Sequence, residues 1–342
     1  MRRFHCEACA TEIAFESSSC PVCAAPLGYV PDERTLRTLR TDDAVTFRIG
    51  AGDVEWWRCL NAAWGCNWLL PAASGETWCR SCALTRGRPD VARPAAVSAW
   101  TAAEANKRRL VHQLDRLGLP VEARGSADSD GLVFDLVFRP GARGLTGHLD
   151  GVVTVDLAEA DPVFCDQMRR RLGEPFRTLL GSLRHEVAHY YWSVLVRDTG
   201  RVESFRSVFG DERVDYPAAV EHYYASPPAW DESRFVSRYA QAHPHEDWAE
   251  TFALYLHIVD LVETAAAHGL IDLPASDDDR LPCPVGASID ELVARWVALA
   301  AAIDGLADSV GAEWLRPAAA ARLELDKLGD VHARITRQQP GG

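Results

Sequence analysis

The sequence predicts an α+β protein: a cysteine-rich N-terminal part, then a larger domain in which a short sheet precedes a mostly helical stretch. Three observations carry this expectation. Eight of the ten cysteines fall within the first 82 residues, and three of their four pairs have C-x-x-C spacing. Apolar and polar residues alternate over 133–138 and 147–157, the period-two pattern of half-buried strands. From Asp161 onward apolar residues recur at helical spacing, with breaks at Ser226-Pro227-Pro228 and over 277–284.

The cysteines come first. The pairs are Cys6 with Cys9, Cys20 with Cys23, Cys59 with Cys66, and Cys79 with Cys82. Knuckles of this kind present four thiolates tetrahedrally to one zinc ion, so two structural zinc ribbons are expected, over 1–30 and 45–90. A disulfide framework would compete, but the start Met1-Arg2-Arg3-Phe4-His5-Cys6 has no apolar leader, and a cytoplasmic location is expected. A redox C-x-x-C would account for one pair and leave four half-sites in sequence unexplained. Trp56, Trp57, Trp64, Trp68 and Trp78 supply the core that so small a metal unit otherwise lacks. Cys165 and Cys283 stand alone and read as buried thiols.

A linker rich in Arg, Gly and Pro over 86–94 leads to a third domain, expected over 95–337. A helix is predicted from Ala95 to Leu117, stopping at Gly118. Two strands joined through Pro140-Gly141 follow. The run Lys107-Arg108-Arg109 reads as the solvated face of the helix. The tail 338–342 reads as disordered.

The chemistry resides in His185-Glu186-Val187-Ala188-His189, inside a long amphipathic helix expected from Pro175 to Val196. Four residues make just over one helical turn, so the two imidazoles share a face and can grip one metal ion. Glu186 lies roughly 100° around the helix, where a carboxylate can take a proton from a water made acidic by the metal. A catalytic zinc needs a third protein ligand. The segment from His243 to His257 reads as a second helix opening after Pro244, with Glu246 and Glu250 one turn apart on one face. One carboxylate can meet the metal while the other orients a ligand imidazole. The reverse assignment, and Asp247 as the ligand, stay open. About three zinc ions per chain follow, two structural and one catalytic.

A sheet followed by a metal-binding helix is the layout of a zincin, in which an edge strand can pair with an extended peptide. The run from Gly181 to Trp192 and the run from Glu246 to Phe252 resemble the bacterial zinc-binding metallopeptidases that carry an N-terminal zinc ribbon. Also similar are Thr146-Gly147-His148-Leu149-Asp150-Gly151, Glu159-Ala160-Asp161, Phe209-Gly210-Asp211-Glu212 and Cys66-Asn67-Trp68. The likeness covers most of residues 1–270 and is poor over the last 70, and it departs at Ser182, where His is expected, and at Ala188, where Gly is expected. It implies a gluzincin-like peptidase. Zincins with a glutamate ligand often carry the supporting group four residues later, so Glu246 is assigned to the metal and Glu250 to support.

The expected activity is zinc-dependent hydrolysis of a peptide or protein substrate, with Glu186 as general base. Tyr223, Tyr224 and His222 are candidate oxyanion donors, with aromatic packing as the plainer reading. His148 and Asp150 either line the cleft or form a structural pair. His243, His245 and His257 read as surface or supporting residues. A non-catalytic zinc-stabilised binding module and a hydrolase of a non-peptide amide remain alternatives. Net charge is −13, of which residues 1–90, with 10 Arg against 11 acidic residues, hold −1. A ribbon region without basic excess lacks the footprint phosphate binding requires, so no nucleic acid is expected. No run of 18 apolar residues occurs, so no membrane span is expected either.

Overall fold

The computed structural model describes residues 3–90, 92–125, 131–139, 146–172, 177–273, 286–311 and 325–337. It has an α+β architecture: a cysteine-rich N-terminal region, then a largely helical part with a small sheet. The expected pieces at 140–141, 277–284 and 338–342, and Cys283, lie outside the described residues.

The N-terminal region opens with a two-stranded ladder, β1 (Phe4–His5) with β2 (Glu12–Ile13). Five antiparallel strands follow in sequential order: β3 (Leu27–Val30), β4 (Thr35–Arg40), β5 (Phe47–Ile49), β6 (Glu55–Arg58) and β7 (Leu69–Pro71). This sheet follows the first cysteine cluster in the chain and its last hairpin brackets Cys59 and Cys66; it is cinched where Tyr29 N–H donates to the Asn67 carbonyl at 2.8 Å. Gly28 leaves room for Leu69 there, whose side chain would lie 2.6 Å from an added Cβ. Of the tryptophans, Trp68 is fully buried against Tyr29, while Trp57 remains 39% exposed.

The last cysteine pair sits on the short helix α1 (Arg80–Ala83), capped by Cys79, and α2 (Pro94–Arg116) follows as expected, stopping just before Gly118, whose φ is +65°. The solvated face expected of Lys107-Arg108-Arg109 is a correction. Lys107 and Arg108 are buried beneath the second cysteine cluster, and Arg109 pairs with Glu16. The helix is sandwiched between the N-terminal region and the metal-binding helices, which periodicity alone does not reveal.

The second expected strand is also corrected: it folds as a hairpin. Strand β8 (Val133–Val137) pairs in parallel with β10 (Val152–Asp156), and β9 (Gly147–Leu149) pairs antiparallel to β10 across the tight turn Asp150-Gly151. Both turn residues have positive φ, +47° and +79°, the conformation that Asp and Gly tolerate in two-residue hairpins. The order is β8-β10-β9, which leaves β9 at the edge.

The helices are α3 (Pro162–Leu172), α4 (Leu179–Trp192), α5 (Val202–Phe209), α6 (Tyr216–Ala225), α7 (Pro244–Ala267), α8 (Ile289–Val310) and α9 (Leu325–Thr336). Of the amphipathic run expected from Pro175, residues 175–176 lie outside the described residues; α4 begins at Leu179, where Thr178 caps it by accepting the Gly181 N–H at 3.0 Å. It then passes into a π-helical turn at Ser193–Arg197. Among the described residues, no helix is long and apolar enough to cross a membrane.

Candidate metal centre

Helices α4 and α7 pack along one another, pinned where Trp248 donates its indole N–H to the Ala188 carbonyl at 2.8 Å. Both residues are fully buried, which explains a small side chain at Ala188. His185 and His189 stand one turn apart with ring centroids 5.1 Å from each other. Helix α7 opens at Pro244, its cap formed by His243 Nδ1 accepting the His245 N–H at 3.1 Å. This start faces Glu246 toward both imidazoles: Oε2 is 3.1 Å from His185 Nε2 and Oε1 is 3.7 Å from His189 Nε2. Glu250, one turn on, accepts the opposite N–H of His185, Nδ1, at 2.6 Å.

The ligand atoms of His185, His189 and Glu246 all lie within 4.8 Å of one another. Zinc with bonds of about 2.0–2.1 Å in tetrahedral geometry separates its ligand atoms by about 3.4 Å, so the donor set fits such an ion. Glu246 is 1% exposed, yet its Oε2 lacks an aligned hydrogen-bond partner, an orphan that a cation would satisfy. Asp247 is turned elsewhere, 2.7 Å from Lys327 of α9, and is absent from this donor set.

Glu186 is buried beside the triad. Burial pushes its carboxyl up to about 7; Glu246 and Glu159 push the same way, and His185 and Arg177 oppose them. Burial pushes the His189 imidazole down to about 3, favouring the neutral form a metal binds. The His148 ring stacks on His189 at 5.8 Å and accepts the Gly151 N–H at 2.9 Å, so it closes the hairpin turn and walls the site together.

Two tyrosines that the sequence reading missed border the triad. Tyr216 donates its hydroxyl to Glu246 Oε1 at 2.5 Å, and the Tyr239 ring lies 6.1 Å from that of His185. Burial, with Glu246 nearby, holds both phenols above their ordinary range. Of the three expected donors, Tyr223 and Tyr224 pack on Tyr239, at 5.7 and 6.2 Å between rings, and His222 is exposed. Nothing in local spacing marks Tyr239, since it lies on a short turn, Tyr239–Ala242, that the fold lays over His185. His245 packs edge-on against Trp192, and His257, half-buried, lies 2.7 Å from Arg184.

The cysteines form two further clusters, Cys6, Cys9, Cys20 and Cys23, and Cys59, Cys66, Cys79 and Cys82. Sulfur separations of 3.6 Å in the first and 3.7 Å in the second exclude disulfides. They match the roughly 3.8 Å expected between thiolates on one tetrahedral zinc. Cys165 is buried as expected, its thiol pushed up to about 11 chiefly by burial.

Two four-cysteine clusters followed by a two-helix cluster of His185, His189 and Glu246 define a metal-binding protein, and comparison with known sequences narrows this. Residues 96–334 match the model of a family described as "Putative zinc-binding metallo-peptidase", and residues 3–93 match a zinc-ribbon domain. The chain belongs to this zinc-binding metallopeptidase family. The match reaches residue 334, so the C-terminal stretch expected to diverge is part of the family domain. The chain is 37% identical to an uncharacterized protein of Mycobacterium bovis and to two of Mycobacterium tuberculosis strains, over 99% of its own length and 97% of theirs. No solved structure matches.

Proposed function

We propose that the protein is a zinc-dependent peptidase in which His185, His189 and Glu246 hold the catalytic ion and Glu186 is the general base. The observation that carries this reading is the convergence of two imidazoles and an orphaned carboxylate oxygen beside a second, buried carboxyl raised to about 7. When bound, zinc supplies polarisation of a carbonyl and acidity to a water. Glu186 accepts the proton of the attacking water and returns it to the leaving amine. Glu250 fixes the tautomer of His185 by accepting a hydrogen bond from its Nδ1–H, which presents Nε2 to the ion. Tyr216, bonded to Glu246, and Tyr239, packed on His185, join Tyr223, Tyr224 and His222 as candidate donors to a developing oxyanion. The edge strand β9, whose His148 packs on His189, offers main-chain groups to an extended peptide. With the two cysteine clusters, the zinc content is about three ions per chain.

Proteome-derived peptides incubated with the purified protein, with Glu186→Gln alongside, test the reading. New peptide termini made by the native protein and absent with the variant are expected. Identical termini in both samples would remove Glu186 from the chemistry. No new termini, together with release of amine from small acyl amides, would move the substrate class away from peptides.

A further inference from the structure

Arg108 is a buried cation short of partners. It is 1% exposed; Nη2 donates to the Gly65 carbonyl at 3.1 Å, while Nε and Nη1 have no hydrogen-bond partner. Its neighbour Lys107 is 0% exposed and reaches Glu104 at 2.9 Å and the Thr85 hydroxyl. A guanidinium withdrawn from water is strongly unfavourable unless an anion stands close. Gly65 immediately precedes Cys66, and four thiolates around one divalent zinc carry a double negative charge. Glu104 Oε2 is 3.7 Å from Cys82 Sγ, so without Lys107 a carboxylate would face a thiolate unscreened.

We propose that the second cysteine centre is an internal strut of the peptidase domain: Arg108 and Lys107 of α2 neutralise its metal-thiolate charge, and its zinc is a condition for metal binding at His185, His189 and Glu246. Two chains of contacts join the centres. Just beyond Cys82, residues 84–86 add to the peptidase sheet, Phe134 N–H donating to the Leu84 carbonyl at 2.7 Å and Arg86 N–H to the Phe134 carbonyl at 3.1 Å. That sheet continues through β10 to β9, whose His148 stacks on His189. The second chain is α2 itself. Below Lys107 and Arg108 it carries Gln113, whose side chain accepts from Arg184 at 3.0 Å and donates to the Leu256 carbonyl at 2.6 Å. Arg184 precedes His185 and also binds His257 and Asp260, so Gln113 braces α4 and α7 together. The first cysteine centre is more open: its Cys9 and Cys23 are exposed, and the segment around it meets α2 higher up, through the Arg109–Glu16 pair and the rings of Phe4 and Phe15 against His112.

The inference rests on zinc filling both centres and on no particular substrate, so it stands or falls apart from the peptidase reading. The test counts zinc in freshly purified full-length protein by mass spectrometry of the metal. Cys20→Ser is expected to lose one ion, as is Glu246→Ala, whereas Cys79→Ser loses two. Because Cys79→Ser can fail to fold, Arg108→Met, which keeps every ligand, is titrated with a chromogenic zinc chelator. Its affinity is expected to fall about 10- to 100-fold at the second cysteine centre, the usual effect of removing a partner that supports metal ligands, with a parallel fall at the histidine centre. A folded Cys79→Ser that loses only its own ion would overturn the proposal. So would Arg108→Met releasing all its zinc at native affinity.

Discussion

Glu250 accepts the Nδ1 proton of His185 at 2.6 Å, on the face of the imidazole opposite Glu246. One ring is thus held from both sides by carboxylates one turn apart on α7. The two glutamates should fail differently. Glu246→Ala removes a ligand and is expected to release the histidine-centre zinc under mild chelation, whereas Glu250→Ala weakens it about 10- to 100-fold by freeing the ring. Competitive zinc titration checks this, and greater loss in Glu250→Ala reverses the roles.

Glu186→Gln should retain all zinc and lose at least about a hundredfold in hydrolysis rate, the lower end of what a positioned base contributes. Steady-state kinetics on a cleaved peptide, beside a zinc count, gives the answer. Unchanged turnover would exclude Glu186 as the base.

The ion pair of Asp247 and Lys327 lies 2.7 Å across and is almost wholly buried, joining α9 to the first turn of α7. Lys327→Met takes this cation from a buried carboxylate, a loss of about 3–5 kcal/mol for a broken buried pair. Differential scanning fluorimetry should show the midpoint falling by several degrees. A midpoint within one degree of native would make α9 dispensable to the ligand helix.

Asp115, on α2, meets Arg80 between Cys79 and Cys82, and burial pushes its carboxyl up to about 6 against the pull of Arg80. A folded-state value above the unfolded one means the contribution to stability is complete below about pH 4 and is lost as pH rises through about 6. Asp115→Asn removes that dependence. The native protein should therefore lose stability relative to the variant between pH 4 and pH 7, by about 3 kcal/mol at most. Parallel denaturant titrations at the two pH values measure it, and a constant difference would refute the shift.

Much of the site was legible because its geometry is local. His185 and His189 share a face by helical pitch, and C-x-x-C knuckles need only a tight turn. The helix opening at Pro244 was legible from the fixed φ of proline and the acidic first turn. Less was legible where a segment's neighbours decide its fate. The alternation over 147–157 is continuous in sequence, yet Asp150-Gly151 turns it back on itself. A cationic run at helical spacing looks solvated until another layer covers it, as the N-terminal region covers Lys107 and Arg108.

The sequence by itself determined the class of protein, the two cysteine clusters and the histidine pair with its neighbouring glutamate, since each is written in spacings shorter than one element. Only the tertiary structure decided that Glu246 approaches both imidazoles while Asp247 turns to Lys327, that Tyr216 and Tyr239 border the triad, and that α2 joins the second cysteine cluster to Arg184. These relations link residues 30 to 80 or more positions apart in several cases, and burial rather than local propensity sets them. Which of two adjacent carboxylates meets a histidine depends on how α7 crosses α4, and that crossing is a property of packed side chains such as Trp248 against Ala188.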